Sequence, residues 1–367
     1  MQPPQTLTTR QATLWLSLYY TGSAILIVPA TLSAFAKQDA WIAVLLALGL
    51  HFLVLLIFAP LGKLSGKAGI GEFLSALLGK PLGKIVLAFL LLTGPLPITV
   101  LNLRDLLDFT SNDILTRTPI EAIALLGLAV VMFGTFLGLR TLGRAAEVLF
   151  PIVVTLTMIL LVSQLPSIQP RQILPIGEYG VKPIIAASVL LFGFPYMEPS
   201  IPWMISSNME KPAQFGKALR ISALISGAFF LLATTLTIMR AGPELTAQLN
   251  FPTYFMAKMI SVGDFYQRLE ALLSLLFFIM MFFRQSMLFY VNATGIADLF
   301  SVKDPRLLLI PIALFVMPFA FNAWHTPGEL FELDETWPFL RMIFGVLLPL
   351  ALLLVALWRR KRTRAAA

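Results

Sequence analysis

The feature that most constrains this chain is the recurrence, from residue 12 to residue 358, of apolar stretches about 20 residues long, the length an α-helix needs to cross roughly 30 Å of hydrocarbon. In a bilayer every backbone N–H and C=O must be satisfied within the protein, so such stretches fold as helices or as strands of a closed barrel. Barrel strands alternate apolar and polar residues, and these stretches do not. Composition agrees: 58% of the 367 residues are hydrophobic, 13% are charged, and the mean hydropathy is +0.84. A soluble domain has too little interior to hide that much apolar surface. The expected fold class is therefore an all-α polytopic membrane protein.

Ten transmembrane helices are predicted, at residues 12–35, 40–60, 82–104, 119–138, 146–165, 183–203, 218–239, 267–292, 306–323 and 338–358. The first is too long for a signal-peptide core and no small-residue cleavage pattern follows it, which marks it as a retained span. Lys and Arg collect on the cytoplasmic side of membrane proteins. Seventeen of them fall on the side of the N-terminus and eight on the other, so both termini are expected in the cytoplasm. The tail "RRKRTR" (359–364) then rests on anionic lipid, and the acidic "ELFELDE" (329–335) lies in the last external loop. The net charge of +8 thus points to the bilayer and not to nucleic acid.

There are no cysteines, which removes disulfides and thiolate metal sites. Between spans two and three, "LGKLSGKAGIGEFLSALLGKPLGK" is only moderately apolar and predicts a short interfacial helix. Its "GKLSGKA" has three residues between Gly62 and Gly66 where a phosphate loop has four, and Ala68 where a Ser or Thr must ligate Mg²⁺, so a nucleotide site is excluded. No catalytic triad, zinc-protease motif or glycine-rich nucleotide motif is present, and no metal or cofactor is expected. The whole chain, 1–367, reads as one membrane domain: repeat one at 12–165, repeat two at 183–358, and a basic tail at 359–367.

Ten spans divide as five plus five, and each half opens with an interrupted helix. Span one reads "YYTGSAILIVPA" (residues 19–30), with Gly22 and Ser23 at mid-length; span six contains "FGFPYMEPS" (192–200). Two Gly/Pro-interrupted segments at corresponding positions point to an inverted-repeat transporter fold with its site near the midplane. Unwinding strands backbone groups at several kcal/mol each, so a break persists where a ligand, ion, water or neighbouring helix satisfies them. The free N–H groups of Ser23, Ala24 and Ile25 suit an anion. The carbonyls near Tyr20 and Thr21, and those around Phe192, Gly193 and Phe194, suit an ammonium group. Together they suit a zwitterion such as an amino acid.

Glu198 lies within span six, where an ionised acid costs about 3 kcal/mol. Its expected role is proton acceptor, ammonium ligand or gate; the alternative is a neutral acid hydrogen-bonded to the unwound backbone. Arg284, in "FFRQSMLFY" of span eight, is as costly, and by the orientation above it sits at a depth similar to Glu198. It is expected either to pair with Glu198 or to fill a cation position at the breaks; snorkelling to the interface is the alternative. Pro95 and Pro97 are expected to kink span three, with Thr93, Thr99 and Asn102 as weaker pocket candidates. His51 and His325 fall in separate segments and suggest no metal.

The chain resembles the spore germination permease family, the B subunit of GerA-type nutrient germinant receptors within the amino acid/polyamine/organocation superfamily. The resemblance is carried by "TTRQATLW" (8–15), "AFAKQDAWIAVLLA" (34–47), "RTPIEAI" (117–123), "GLRTLGRAAEVLFPIVV" (138–154) and "FYQRLEALLSL" (265–275). It implies a five-plus-five inverted repeat similar to the bacterial leucine transporter, with a pocket between broken spans one and six and spans three and eight alongside. It also implies A and C partner subunits in the bacterial inner or spore membrane, and a response to amino acids or other small nutrients that triggers germination. "TGSAIL" is similar to the superfamily's first break, with Ala24 where glycine is usual. "FGFPYME" is similar to the second, retaining Glu198 but with Tyr196 where glycine is common. Both departures narrow or stiffen the site and favour sensing over passage. The expected function is a nutrient-binding receptor subunit; the alternatives are a proton-coupled amino acid permease and a water- or ion-conducting pore.

Overall fold

"TTRQ" is a helix start. The Thr8 hydroxyl accepts from the Gln11 N–H at 3.1 Å, and the Gln11 side chain accepts from the Thr8 N–H at 3.0 Å, a reciprocal cap that satisfies two otherwise stranded donors. The helix it begins, α1 (Thr9–Thr21), stops at Gly22, whose φ of +32° lies where only glycine sits without strain. The chain then resumes as α2 (Ala24–Ala36). Span one is thus two half-helices, as its sequence predicts.

The computed structural model describes residues 6–259, 269–324, 329 and 336–365. After α2 come α3 (Ala40–Ser65), the short α4 (Ile70–Leu78), α5 (Lys80–Thr93), α6 (Pro95–Phe109), α7 (Ile120–Leu137) and α8 (Leu139–Gln164). Then follow α9 (Val181–Leu191), a π turn (Phe192–Tyr196), α10 (Ser200–Met204), α11 (Phe215–Gln248), α12 (Pro252–Lys258), α13 (Leu269–Phe300) and α14 (Leu309–Phe321). Residues 336–341 are helical and lead through a second π turn (Met342–Leu347) into α15 (Leu348–Ala365). Among the described residues there is no β-strand, and the sole bridge is an isolated parallel one between Leu7 and Met209.

Among the described residues eight helical segments are long and apolar enough to cross a membrane, joined by a shorter apolar one at Pro305–Phe321. The chain is a multi-pass helical membrane protein. Boundaries depart from expectation in several places; span two runs on to Ser65, span five begins at Leu139 and span ten extends to Ala365. Span three, expected to be kinked, is interrupted outright at Gly94, between α5 and α6. The helix of span seven breaks at Gly242 (φ +77°), close to its expected end, and a second helical piece reaches Gln248, while span eight continues to Phe300. Of the expected external acidic loop only Glu329 is described; residues 330–335, His325 and the stretch 265–268 lie outside the described residues.

The segment between spans two and three yields α4, which buries Ile70, Phe73, Leu74 and Leu77 on one face. The two broken spans lie at the centre of the fold. The long α11 packs along α1, α2 and α3, while α13 packs against α1, α6, α7 and α8. Because α9 lies on α2 and α3, both breaks and the middle of α13 meet in one buried layer.

Candidate functional site

Gly22 leaves room for one neighbour, the side chain of Arg284, whose methylenes lie where a Cβ would be. From α13 the guanidinium reaches across break one. Its Nη1 donates to the Tyr19 carbonyl at 3.0 Å, at the end of α1, and its Nη2 donates to both oxygens of Glu198 at 3.0 and 2.9 Å. The Tyr19 hydroxyl donates to the same carboxylate at 2.6 Å. Arg284 and Glu198 are fully buried. The guanidinium is sandwiched by aromatic rings, with its carbon 4.7 Å from the Tyr19 centroid and 5.0 Å from that of Phe194. The cation that the unwound carbonyls of break one require is therefore supplied by the chain itself.

Phe194 reaches that position because it leaves helical geometry (φ −144°, ψ 119°) inside the π turn. The residues after it are held by two further buried groups. His51 of α3 lies with Nδ1 2.7 Å from the Tyr196 carbonyl; a carbonyl can only accept, so Nδ1 carries the proton. Arg341 donates through Nη2 to the Met197 carbonyl at 3.2 Å and through Nη1 to the Thr93 carbonyl at 2.9 Å. One fully buried arginine thus joins break six to the interruption in span three. Span ten is pressed against break six, since a Cβ on Gly345 would overlap the Met197 carbonyl.

The structure brings Gly22, Phe194, Glu198 and Arg284 together and sends the other predicted residues elsewhere. Tyr20 and Tyr196 form an aromatic group with His51, which stacks on Tyr196 at 4.6 Å and meets Tyr20 edge-on at 5.3 Å; the group adjoins the ion pair through Tyr20, edge-on to Tyr19 at 5.5 Å. The Thr21 hydroxyl turns back to the Ser17 carbonyl at 2.8 Å. Ser23 and Ala24 are buried at the start of α2, and the Ile25 carbonyl accepts from Thr253 at 3.0 Å. Phe192 opens the π turn, and Gly193 is backed by Pro338. The carbonyl that receives a cation at break one belongs to Tyr19, not to Tyr20 or Thr21.

A cavity of about 80 Å³ opens beside the breaks, on the α2 side. Its walls include Val28 of α2, Leu191 of α9, Asn102 and Asp105 of α6, and the rings of Phe194 and Trp337. Among the predicted break residues Phe194 alone lines it; Tyr196 does not. Asn102 also donates to Gln285, whose amide donates to the Thr99 carbonyl at 3.1 Å, while Asn292 donates to the Thr99 hydroxyl at 2.8 Å. This polar seam ties α6, one wall of the cavity, to α13. Among the described residues no three His, Asp or Glu side chains cluster as a metal site would need.

Tyr19, Asp105, Trp337 and Arg341 are absent from the sequence-derived candidates. Arg341 had a signal: with Arg284 it is one of two cations of the 27 that fall on neither side of the loop count. Position 341 is three residues inside the expected start of span ten, where an arginine reads as a span-end residue.

The comparisons with known proteins come down on one side. A family model described as spore germination protein matches residues 6–324. Spore germination protein KB of Bacillus subtilis (strain 168) is 28% identical over 362 residues, covering 96% of this chain and 95% of the relative. Spore germination protein YndE of the same organism is 23% identical over 364 residues, 98% of each. Spore germination protein XB of Bacillus anthracis is 21% identical over 365 residues, 93% of this chain and 94% of the relative.

Proposed function

We propose, because this chain belongs to the family of spore germination proteins, that it is the nutrient-sensing membrane subunit of a germinant receptor. In this reading a small amino acid binds beside the paired breaks of spans one and six, and A and C subunits respond to the resulting change in conformer stability. The frame is a five-plus-five repeat of ten spans, set in the bacterial inner or spore membrane with both termini in the cytoplasm.

The observation that carries the reading is the occupied break. Arg284, Glu198 and Tyr19 close it with four hydrogen bonds among themselves, and Phe194 lies over the guanidinium. A carrier must repeatedly open that layer. A sensor needs only a ligand that prefers one arrangement of it, which the cavity next to Phe194 can accept. Glu198 committed to an arginine is also poorly placed to shuttle protons, which favours the receptor over the proton-coupled permease.

The test is to reconstitute the purified chain in proteoliposomes with labelled L-alanine, L-valine and L-leucine. Binding in proportion to protein, without accumulation when a proton gradient is imposed, is the expected result. Gradient-driven accumulation abolished by Glu198→Gln would replace the receptor with the permease.

A further inference from the structure

Two guanidinium groups and one carboxylate are fully buried in the layer of the breaks. Glu198 is committed to Arg284 by both oxygens. Among the described residues Arg341 donates only to carbonyls, those of Thr93 and Met197, and its Nε, like that of Arg284, has no hydrogen-bond partner. Carbonyls at a half-helix end offset part of a positive charge, but each interruption also opens an N-terminus of opposite sign, so the dipoles largely cancel. A cation in a membrane interior is retained where function uses it.

Its surroundings name the use. Trp337 precedes Arg341 by one helical turn, with its ring centroid 5.7 Å from the guanidinium carbon, and that ring is a wall of the 80 Å³ cavity. Asp105 stands on the same cavity from α6. An apolar chamber with a carboxylate on one wall, and on another a tryptophan whose ring neighbours a guanidinium, has the charge pattern of an α-amino acid with a small apolar side chain.

We propose that Arg341 is the carboxylate anchor of the nutrient site: the ligand's side chain lodges between α2 and α9, its ammonium faces Asp105, and its carboxylate moves the Trp337 ring aside to meet the Nε–H of Arg341. This rests on the reading that the nutrient occupies the cavity. It places the ligand's charged ends on spans three and ten, whereas break one keeps its own arginine.

The test uses the purified full chain in detergent, with thermal stabilisation titrated by L-alanine, L-valine and L-leucine and by their carboxamides, which lack the negative charge. The wild type is expected to prefer the best of the three acids over its amide by at least tenfold. Arg341→Gln is expected to bind acid and amide alike, Arg341→Lys to keep part of the preference, and Asp105→Asn to weaken both ligands equally. Because the acid-to-amide ratio is read on the wild type, the test survives if Arg341→Gln folds poorly; a wild-type ratio near one overturns the anchor. Leu190→Trp fills the cavity and separates the two claims. Binding lost in Leu190→Trp with discrimination kept in Arg341→Gln overturns the anchor alone. Binding untouched by Leu190→Trp, or no stabilisation by any acid, overturns the cavity and the anchor with it.

Discussion

At the scale of single residues, the pair formed by Glu198 and Arg284 decides most. Removing one member of a buried ion pair leaves an uncompensated charge and typically costs about 3–5 kcal/mol, whereas replacing both is far milder. Glu198→Gln and Arg284→Gln are each expected to destabilise by that amount, and the double variant by less than either sum predicts. Equilibrium unfolding in detergent across the double-mutant cycle measures the coupling, and additive losses would mean that the two side chains do not depend on each other. Tyr19→Phe deletes one charge-assisted hydrogen bond, expected to be worth about 1.5–3 kcal/mol. Glu198 and Arg284 were legible because an ionisable group inside an apolar run has nowhere to hide. Arg341 was not, since the tight approach of span ten to the Met197 carbonyl, which carries it into the centre, depends on packing that a linear pattern does not express. Tyr19 and Trp337 were illegible for a simpler reason: aromatic residues in membrane helices fill core as readily as they line sites.

At the scale of elements, the breaks depend on backbone geometry. Gly22→Ala must adopt φ +32° and displace the Arg284 side chain, an expected loss of about 2 kcal/mol or more. Gly49→Ala, at an exposed and uncrowded position of α3, is the control, expected to gain about 0.5–1 kcal/mol from helix propensity. Thermal unfolding of the two variants distinguishes a strained break from a generic glycine effect. Breaks one and six could be read in the sequence because glycine and proline coincide with polar residues at matching places in the two halves. The interruption at Gly94 was underestimated: Pro95 and Pro97 fit an ordinary kink, and only Arg341 on the freed Thr93 carbonyl turns the kink into a junction. Helix ends were hardest to place. In span seven the first helix breaks at Gly242, whose φ of +77° suits glycine, and a second helical piece starts at Pro243, where the missing N–H is tolerated.

At the scale of the whole molecule, helical class and repeated membrane crossing follow from hydrophobic length alone. What length cannot supply is the way charge distributes the chain across the bilayer. The asymmetry of seventeen basic residues against eight predicts that exposed Ser167 faces outward and exposed Ser301 inward. Since the chain has no cysteine, Ser167→Cys and Ser301→Cys provide clean single labels. An impermeant thiol reagent on intact cells is expected to modify the first and to reach the second only after permeabilisation; the opposite result inverts the topology. The central claim, that a nutrient occupies the cavity beside the closed breaks, is tested most directly at Thr31, which lines that cavity and is close to cysteine in size. Thr31→Cys is expected to react with a small thiol reagent and to be protected by whichever amino acid stabilises the protein, with half-protection at the concentration that gives half-stabilisation. Labelling at an unchanged rate in the presence of that amino acid would contradict the account.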